Sequence, residues 1–269
     1  MSQIILFIGA SKGIGLQTAN KLYQHGHTVY GTSRNPNKAN NTDFELLAMD
    51  VGDTDSVQQA VDHVVTTEGR IDVLINNAGY DLYGAAEETS MEELIQQVDT
   101  NFFGVVRAIQ AVAPIMRQQQ HGKIINTSSI GGLLSLPFNS AYAASKYALE
   151  GYSESLRYEL MPFNVYVSLV EPGGVRTNTL DTSIIEVQEG HVAYEKRRAN
   201  MVNHMRNLSA TGVSMEAVAN TILKITETAK PRLRYAVGNQ ARFSPTMKLL
   251  LPQGIYERFI KSQFAIAFK

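Results

Sequence analysis

The sequence predicts an α/β protein: a doubly wound parallel sheet of about seven strands with helices on both faces. Three observations carry this expectation. Short apolar runs alternate with helix-length segments along the chain. The runs are apolar on both alternating faces, as in strands covered from two sides. The first run leads through a glycine-punctuated turn into a helix. Repeated strand–helix–strand units with right-handed crossovers give a parallel sheet wound in both directions.

Taken in order, Ile4-Ile5-Leu6-Phe7-Ile8 is the first strand, Gly9 to Gly15 the turn, and Leu16 to Gln24 the helix after it. Thr28 to Ser33 and Glu45 to Met49 are the next strands, followed by a helix over Ser56 to Thr66. Ile71 to Ile75 is the fourth strand. Met91 to Met116 reads as one long helix, with a bend expected at Pro114. Lys123 to Thr127 and Val165 to Val170 are strands separated by a helix from Ala141 to Leu160, and Arg234 to Val237 is a seventh strand. No repeat, low-complexity stretch or linker divides the chain, so a single domain over 1–269 is expected. Segment 178–212, charged and lacking strand patterning, is the expected insertion or lid, and 240–269 a helical extension.

Composition narrows the function. The 269 residues carry 24 Lys+Arg against 25 Asp+Glu, which disfavours a nucleic-acid binder. The absence of cysteine removes disulfides, thiolate metal sites and a cysteine nucleophile, and suits a reducing compartment. His25, His27, His63, His121, His191 and His204 show no metal-ligand spacing, so no metal is expected. No apolar run reaches a membrane span, and Met1-Ser2-Gln3 passes into an apolar run without a basic stretch. A cytoplasmic protein is the expectation.

The turn Gly9-Ala10-Ser11-Lys12-Gly13-Ile14-Gly15 sits where a strand meets a helix. Glycines there allow a tight turn and close approach to a pyrophosphate, and the helix start offers free N–H groups. Such turns are also common structural punctuation; the position at the first strand–helix junction favours a dinucleotide. An acid at the end of the second strand would take a ribose 2′-hydroxyl, but Ser33-Arg34 stands there. A guanidinium suits a 2′-phosphate, and Lys12 adds a second cation, so NADP(H) is expected over NAD(H).

Tyr142 and Lys146 are four residues apart on one helix and share a face. A neighbouring ammonium favours the phenolate and brings a tyrosine nearer working pH. Ser129, at the end of the preceding strand, can hold a carbonyl oxygen beside that phenol, and Asn101 can order a water near Lys146. Singly, each has a duller reading: a surface Tyr–Lys pair, a turn serine, an asparagine that satisfies backbone groups.

Their joint order is more specific. The Gly9-x-x-x-Gly13-x-Gly15 turn, Asn76-Asn77-Ala78-Gly79, Asn101, Ser129, Tyr142-x-x-x-Lys146 and Pro172-Gly173 together resemble the classical short-chain dehydrogenase/reductase family over roughly residues 4–180. The resemblance implies a Rossmann-type domain, a nicotinamide cofactor, and a tetrad of Asn101, Ser129, Tyr142 and Lys146. In it Tyr142 is the general acid/base, Lys146 also binds the nicotinamide ribose, Ser129 orients substrate and Asn101 maintains the proton relay. It further implies that Asn77, Ala78 and Gly79 line the cofactor and that Asp50 and Val51 contact the adenine. Pro172, Gly173, Val175 and Thr177 of the Pro-Gly-Gly-Val-Arg-Thr stretch then lie by the nicotinamide. Tyr235-Ala-Val-Gly238 and Leu249-Leu-Leu-Pro252 look like members grouped with hydroxysteroid and retinol dehydrogenases and acyl-dihydroxyacetone-phosphate reductases. One departure is Ile8, where the family has threonine whose hydroxyl ties the first strand to Asn76-Asn77.

The expected activity is NADP(H)-dependent interconversion of a carbonyl and an alcohol; the alternative is a non-catalytic NADP(H)-binding sensor, which has no need of Tyr142 and Lys146 together. Ile184, Ile185, Val187, Val192, Met201, Val202 and Met205 in the lid suggest an apolar substrate. Phe102, Phe103, Val106, Tyr147 and Tyr152 suggest a homodimer or homotetramer. Residues 230–269 hold eight basic residues and one acid, and Leu249, Leu250, Leu251, Ile255, Phe259, Ile260 and Phe264 recur at helical intervals. That stripe favours packing on the acidic body, with a membrane surface as the lesser possibility.

Overall fold

The computed structural model describes residues 2–38, 42–176 and 184–264. The strands of the main sheet are β1 (Ile4–Ile8), β2 (Thr28–Ser33), β3 (Glu45–Ala48) and β4 (Val73–Asn76). A short β5 (Asp81–Tyr83) stands outside it, and β6 (Gly122–Thr127) and β7 (Val165–Pro172) continue it. Then come β8 (Val175–Arg176), β9 (Ile184–Glu186), β10 (Val213–Ser214) and β11 (Arg234–Val237). The helices are α1 (Gly13–Gln24), α2 (Thr54–Glu68), α3 (Met91–Val98), α4 (Gly104–Gln119), α5 (Ser140–Leu160), α6 (Val192–Thr211), α7 (Met215–Glu227), α8 (Asn239–Leu250) and α9 (Gln253–Gln263).

The main sheet has seven parallel strands in the order β11-β7-β6-β4-β1-β2-β3. Winding reverses between β1 and β4, so a crevice opens beyond their carboxyl ends, where α/β sheets bind ligands. Both sheet faces are covered, which is why the strands read as unbroken apolar runs. Leu6, Leu74 and Ile124 pack against α2, α4 and α5 on one face. Phe7, Ile75 and Ile125 pack with Leu22 of α1 and Ile222 of α7 on the other. Helix α7 has no counterpart in the sequence reading, although Val218, Ile222 and Ile225 lie at helical spacing.

Two expectations need correction. The long helix over 91–116 is broken, but not at Pro114, which α4 accommodates. The break is a π-helical turn at Asp99–Phe103. Asn101 lies inside it, bonded through its side chain to the backbone of Tyr80, and π-turns of this kind recur at functional sites. The lid region does contain a strand: β9 pairs in parallel with β5.

The C-terminal helices dock on the body. The Lys248 ammonium of α8 reaches the Leu133 carbonyl at 2.9 Å and the Tyr147 hydroxyl of α5 at 2.5 Å. Phe264 and Ile260 join Met201, Val202 and Tyr83 in one apolar cluster. The stripe is divided: Phe264 is buried, whereas Leu249 is 84% exposed. Of the lid side chains, Met201, Val202 and Val187 are buried but Ile185 and Val192 face solvent, so only part of that apolar set can line a pocket.

One ion cluster fastens the sheet edge to α5. Arg234 of β11 bonds Glu150 and Glu154 of α5 and Glu171 of β7. Glu150 and Glu171 are buried, and burial raises both carboxyl pKa values while Arg234 pulls them down. Removing the cation leaves two buried carboxylates without it, a change that costs on the order of 3 kcal/mol. Acids whose folded pKa is raised lose stability as pH climbs above their unfolded pKa. Arg234→Met is therefore expected to lower the urea midpoint more at about pH 8 than at about pH 5. An equal shift at both pH values would contradict this account.

Candidate active site

The glycine turn is built by close approach. Gly9 has φ +81°, and a Cβ there would meet the Ala78 backbone nitrogen at 2.7 Å. A Cβ on Gly15 would lie 2.0 Å from the Gly9 carbonyl oxygen. Helix α1 begins with no side-chain cap and no acid in its first turn. Its leading N–H groups and positive dipole end thus face the crevice without a protein anion, an arrangement that fits a pyrophosphate.

The hydroxyl absent at Ile8 is replaced by other ties. The Asn77 backbone N–H donates to the Ile8 carbonyl at 3.0 Å, and its side-chain amide donates to the Gly9 carbonyl at 3.1 Å. Gly9 N–H donates to Thr32 Oγ1 of β2 at 3.3 Å. The bond placed in doubt by Ile8 is thus supplied from β2 and from Asn77 itself.

Ser11 and Ile14 are half-buried in the turn, and Lys12 and Arg34 are exposed at its two sides. Neither cation has an ion-pair partner among the described residues. Ser33 ends β2, its hydroxyl accepting from Asn35 N–H at 3.2 Å. Asp50 is exposed past β3 and holds Gly52 N–H at 2.9 Å. The Val51 carbonyl is fixed by Arg107 of α4, which also pairs with Asp99 at 2.7 Å. Pro172 closes β7, Gly173 N–H donates to Val237 O at 3.1 Å, and Val175 pairs with Val213. Thr177 lies outside the described residues.

The four tetrad positions converge on the crevice. Lys146 is buried, with Nζ donating to the Thr127 carbonyl of β6 at 2.8 Å and standing 5.8 Å from the Tyr142 ring centroid. Burial lowers its pKa to about 8, against the opposing pull of Asp81 and Glu150. Asn101 is fully buried. Its amide donates to Tyr80 O at 2.9 Å and to Ser145 Oγ at 3.3 Å, and its carbonyl oxygen accepts from Tyr80 N–H at 3.1 Å. The side chain thereby holds the chain after β4 against α5.

Ser129 Oγ accepts from Gly131 N–H at 3.0 Å and hydrogen-bonds the Tyr142 phenol. Burial, and then the Asp81 carboxylate, hold the Tyr142 pKa above the usual phenol range, and only the Ser129 bond lowers it.

The sequence reading missed Asp81, Gln97 and Asn139. Asp81 accepts from Asn139 Nδ2 at 2.6 Å and from the Tyr83 hydroxyl, and burial pushes its pKa up to about 7. Gln97 bonds Leu82 N–H at 2.9 Å and Tyr80 O at 3.1 Å. A carboxylate two residues past Asn-Ala-Gly, and an asparagine three before Tyr142, were the available signals.

A crevice with a phosphate-suited helix start, beside a tyrosine, a serine and a lysine, defines a nucleotide-dependent redox enzyme. The family model described as short chain dehydrogenase matches residues 3–186, and the chain belongs to that family. It is 40% identical over 98% of both chains to a 3-ketodihydrosphingosine reductase of Bacteroides thetaiotaomicron. It is 33% identical to human 17-beta-hydroxysteroid dehydrogenase type 1, over 92% of this chain and 80% of that one. Among solved structures, a short-chain dehydrogenase from Streptomyces avermitilis superposes with a TM-score of 0.85 at 32% identity, covering 98% of this chain and 97% of that one.

Proposed function

We propose that this oxidoreductase is an NADP(H)-dependent reductase of ketones carried on apolar chains, working in a reducing compartment such as the cytoplasm. The observation that carries the reading is the convergence of Tyr142, Ser129 and Lys146 at the carboxyl end of β6, beside the crevice. The nicotinamide, when bound, supplies or accepts the hydride. Ser129 holds the substrate oxygen against the Tyr142 hydroxyl, and Tyr142 exchanges the proton with that oxygen. Lys146, fixed by the Thr127 carbonyl, stands 5.8 Å from the centre of the phenol ring and would hold the cofactor ribose. Asn101 keeps the Tyr80 backbone and α5 in register. Gly9, Ser11, Gly13, Ile14 and Gly15 would hold the pyrophosphate, Asn77, Ala78 and Gly79 would line the cofactor, and Asp50 and Val51 would contact the adenine. Pro172, Gly173 and Val175 would bound the nicotinamide end.

Support for NADP(H) comes from Lys12 and Arg34, exposed, unpaired and placed where a 2′-phosphate would lie. Support for an apolar ketone comes from the cluster of Tyr83, Met201, Val202, Leu136 and Phe138, and from the similarity to a 3-ketodihydrosphingosine reductase. The complete Tyr142–Lys146 pair favours this reading over a non-catalytic sensor. Among the described residues no helix is long and apolar enough to cross a membrane.

Tyr142→Phe is expected to keep NADPH binding and to lose ketone turnover by on the order of 10²-fold or more. Near-normal rates would contradict the role given to Tyr142. Arg34→Ala is expected to weaken NADPH binding about 10- to 100-fold and to leave NADH binding nearly unchanged; equal loss for both would make Arg34 a structural residue. The chain forms a two-fold dimer through α3, α4 and α5, a reading supported by Phe103 at 48% exposure and by exposed Ile95 and Met91. Phe102, in contrast, is served within the chain by Tyr152 at 5.7 Å. Sedimentation at micromolar concentration should give a species of twice the chain mass, and a monomer alone would contradict the dimer.

A further inference from the structure

The tetrad leaves one ionisable group in the site without a role, Asp81. Its carboxylate is tethered by Asn139, which lies at the start of α5 three residues before Tyr142, and by Tyr83. Asp81 and Tyr142 are both enclosed by protein, yet both retain accessible surface and feel each other's charge. Asn139 is the N-cap of α5 and Tyr142 lies one turn on, so the bond from Asn139 holds Asp81 at the end of the helix that bears Tyr142.

No protein cation neutralises Asp81 at contact distance among the described residues. Lys146 attracts it, but the ammonium is held by the Thr127 carbonyl. Arg198 is paired with Glu88, and Lys248 is engaged by Leu133 and Tyr147. An unneutralised carboxylate also works against the chemistry, because its charge raises the Tyr142 pKa and so opposes phenolate formation. A cation delivered with the substrate would satisfy Asp81 and reverse that effect. Tyr83, which holds Asp81, also belongs to the apolar cluster with Met201, Leu136 and Phe138. A polar subsite and a chain-binding wall thus meet at one residue.

We propose that Asp81 is the subsite for a protonated amine next to the reacting carbonyl, so that the substrate class is a 2-amino ketone on an apolar chain. This rests on the reductase reading above. The amine donates to the Asp81 carboxylate while the neighbouring oxygen sits between Ser129 and Tyr142 and the chain runs along the Tyr83 cluster. A charge-assisted hydrogen bond in a partly buried site is worth about 10- to 100-fold in affinity.

The test uses protein loaded with NADPH, which does not reduce an alcohol, and calorimetric titration with three probes of equal chain length: a 2-amino-3-alkanol, its N-acetyl derivative and the 3-alkanol. Wild type should bind the free amine about 10- to 100-fold tighter than the two neutral probes. Asp81→Asn should bring these affinities together and Asp81→Glu should retain part of the difference, with melting temperature and NADPH affinity checking the fold. Equal affinity of wild type for all three probes overturns the proposal whatever the variants do, as does an amine preference that survives in folded Asp81→Asn. NADPH oxidation with the matching ketones separates the two readings. Reduction without amine preference removes the subsite alone, and amine preference without reduction of any ketone removes the reductase reading alone.

Discussion

The site depends on satisfying the polar backbone that emerges where β4 and β6 end. Strands buried on both faces can be apolar along their length, but their outgoing loops carry N–H and C=O groups that need partners. Here the partners are side chains from the helical layer. Asn101 and Gln97 grip Tyr80 and Leu82. Asn139 reaches Asp81 and the Leu82 carbonyl, and Lys146 takes the Thr127 carbonyl. These bonds set α3, the π-turn and α5 against the open end of the sheet. Tyr142, Lys146 and Asp81 are placed as a consequence.

The same economy explains the electrostatics. Burial that gives α5 its register also strips water from Tyr142, Lys146 and Asp81, moving each towards its neutral form. In the protein alone the phenol is therefore held away from ionisation. Lys12 and Arg34 at the glycine turn have no ion-pair partner among the described residues, and Asp81 is bonded by the neutral Asn139. The Arg234 cluster does similar duty on the far side of α5, where Glu150 links the helix to the sheet edge.

Much of this was legible in the sequence because strand–helix alternation and motif order are local properties. All seven strands of the main sheet, the glycine turn and the Tyr142–Lys146 face follow from periodicity and spacing. What escaped depends on contacts distant in sequence. The break at Asp99–Phe103 is tied to Tyr80, whereas Pro114, where a bend was expected, lies inside α4. Strand β9 is too short to announce itself and exists by pairing with β5. Asp81 is marked in the sequence only by its place two residues past Asn-Ala-Gly, and its bond to Asn139 joins it to a residue 58 positions away. The bonds from Asn101 to Tyr80 and Ser145 likewise join residues 21 and 44 positions apart.

The central claim is that this constellation moves hydride between a nicotinamide and a carbonyl carbon. Isotope transfer tests it most directly. With NADPH carrying deuterium at the transferring face of the nicotinamide, mass spectrometry of the alcohol formed from a long-chain ketone should find one deuterium at the carbinol carbon. An unlabelled alcohol, with the deuterium retained by the cofactor or lost to water, would contradict the account.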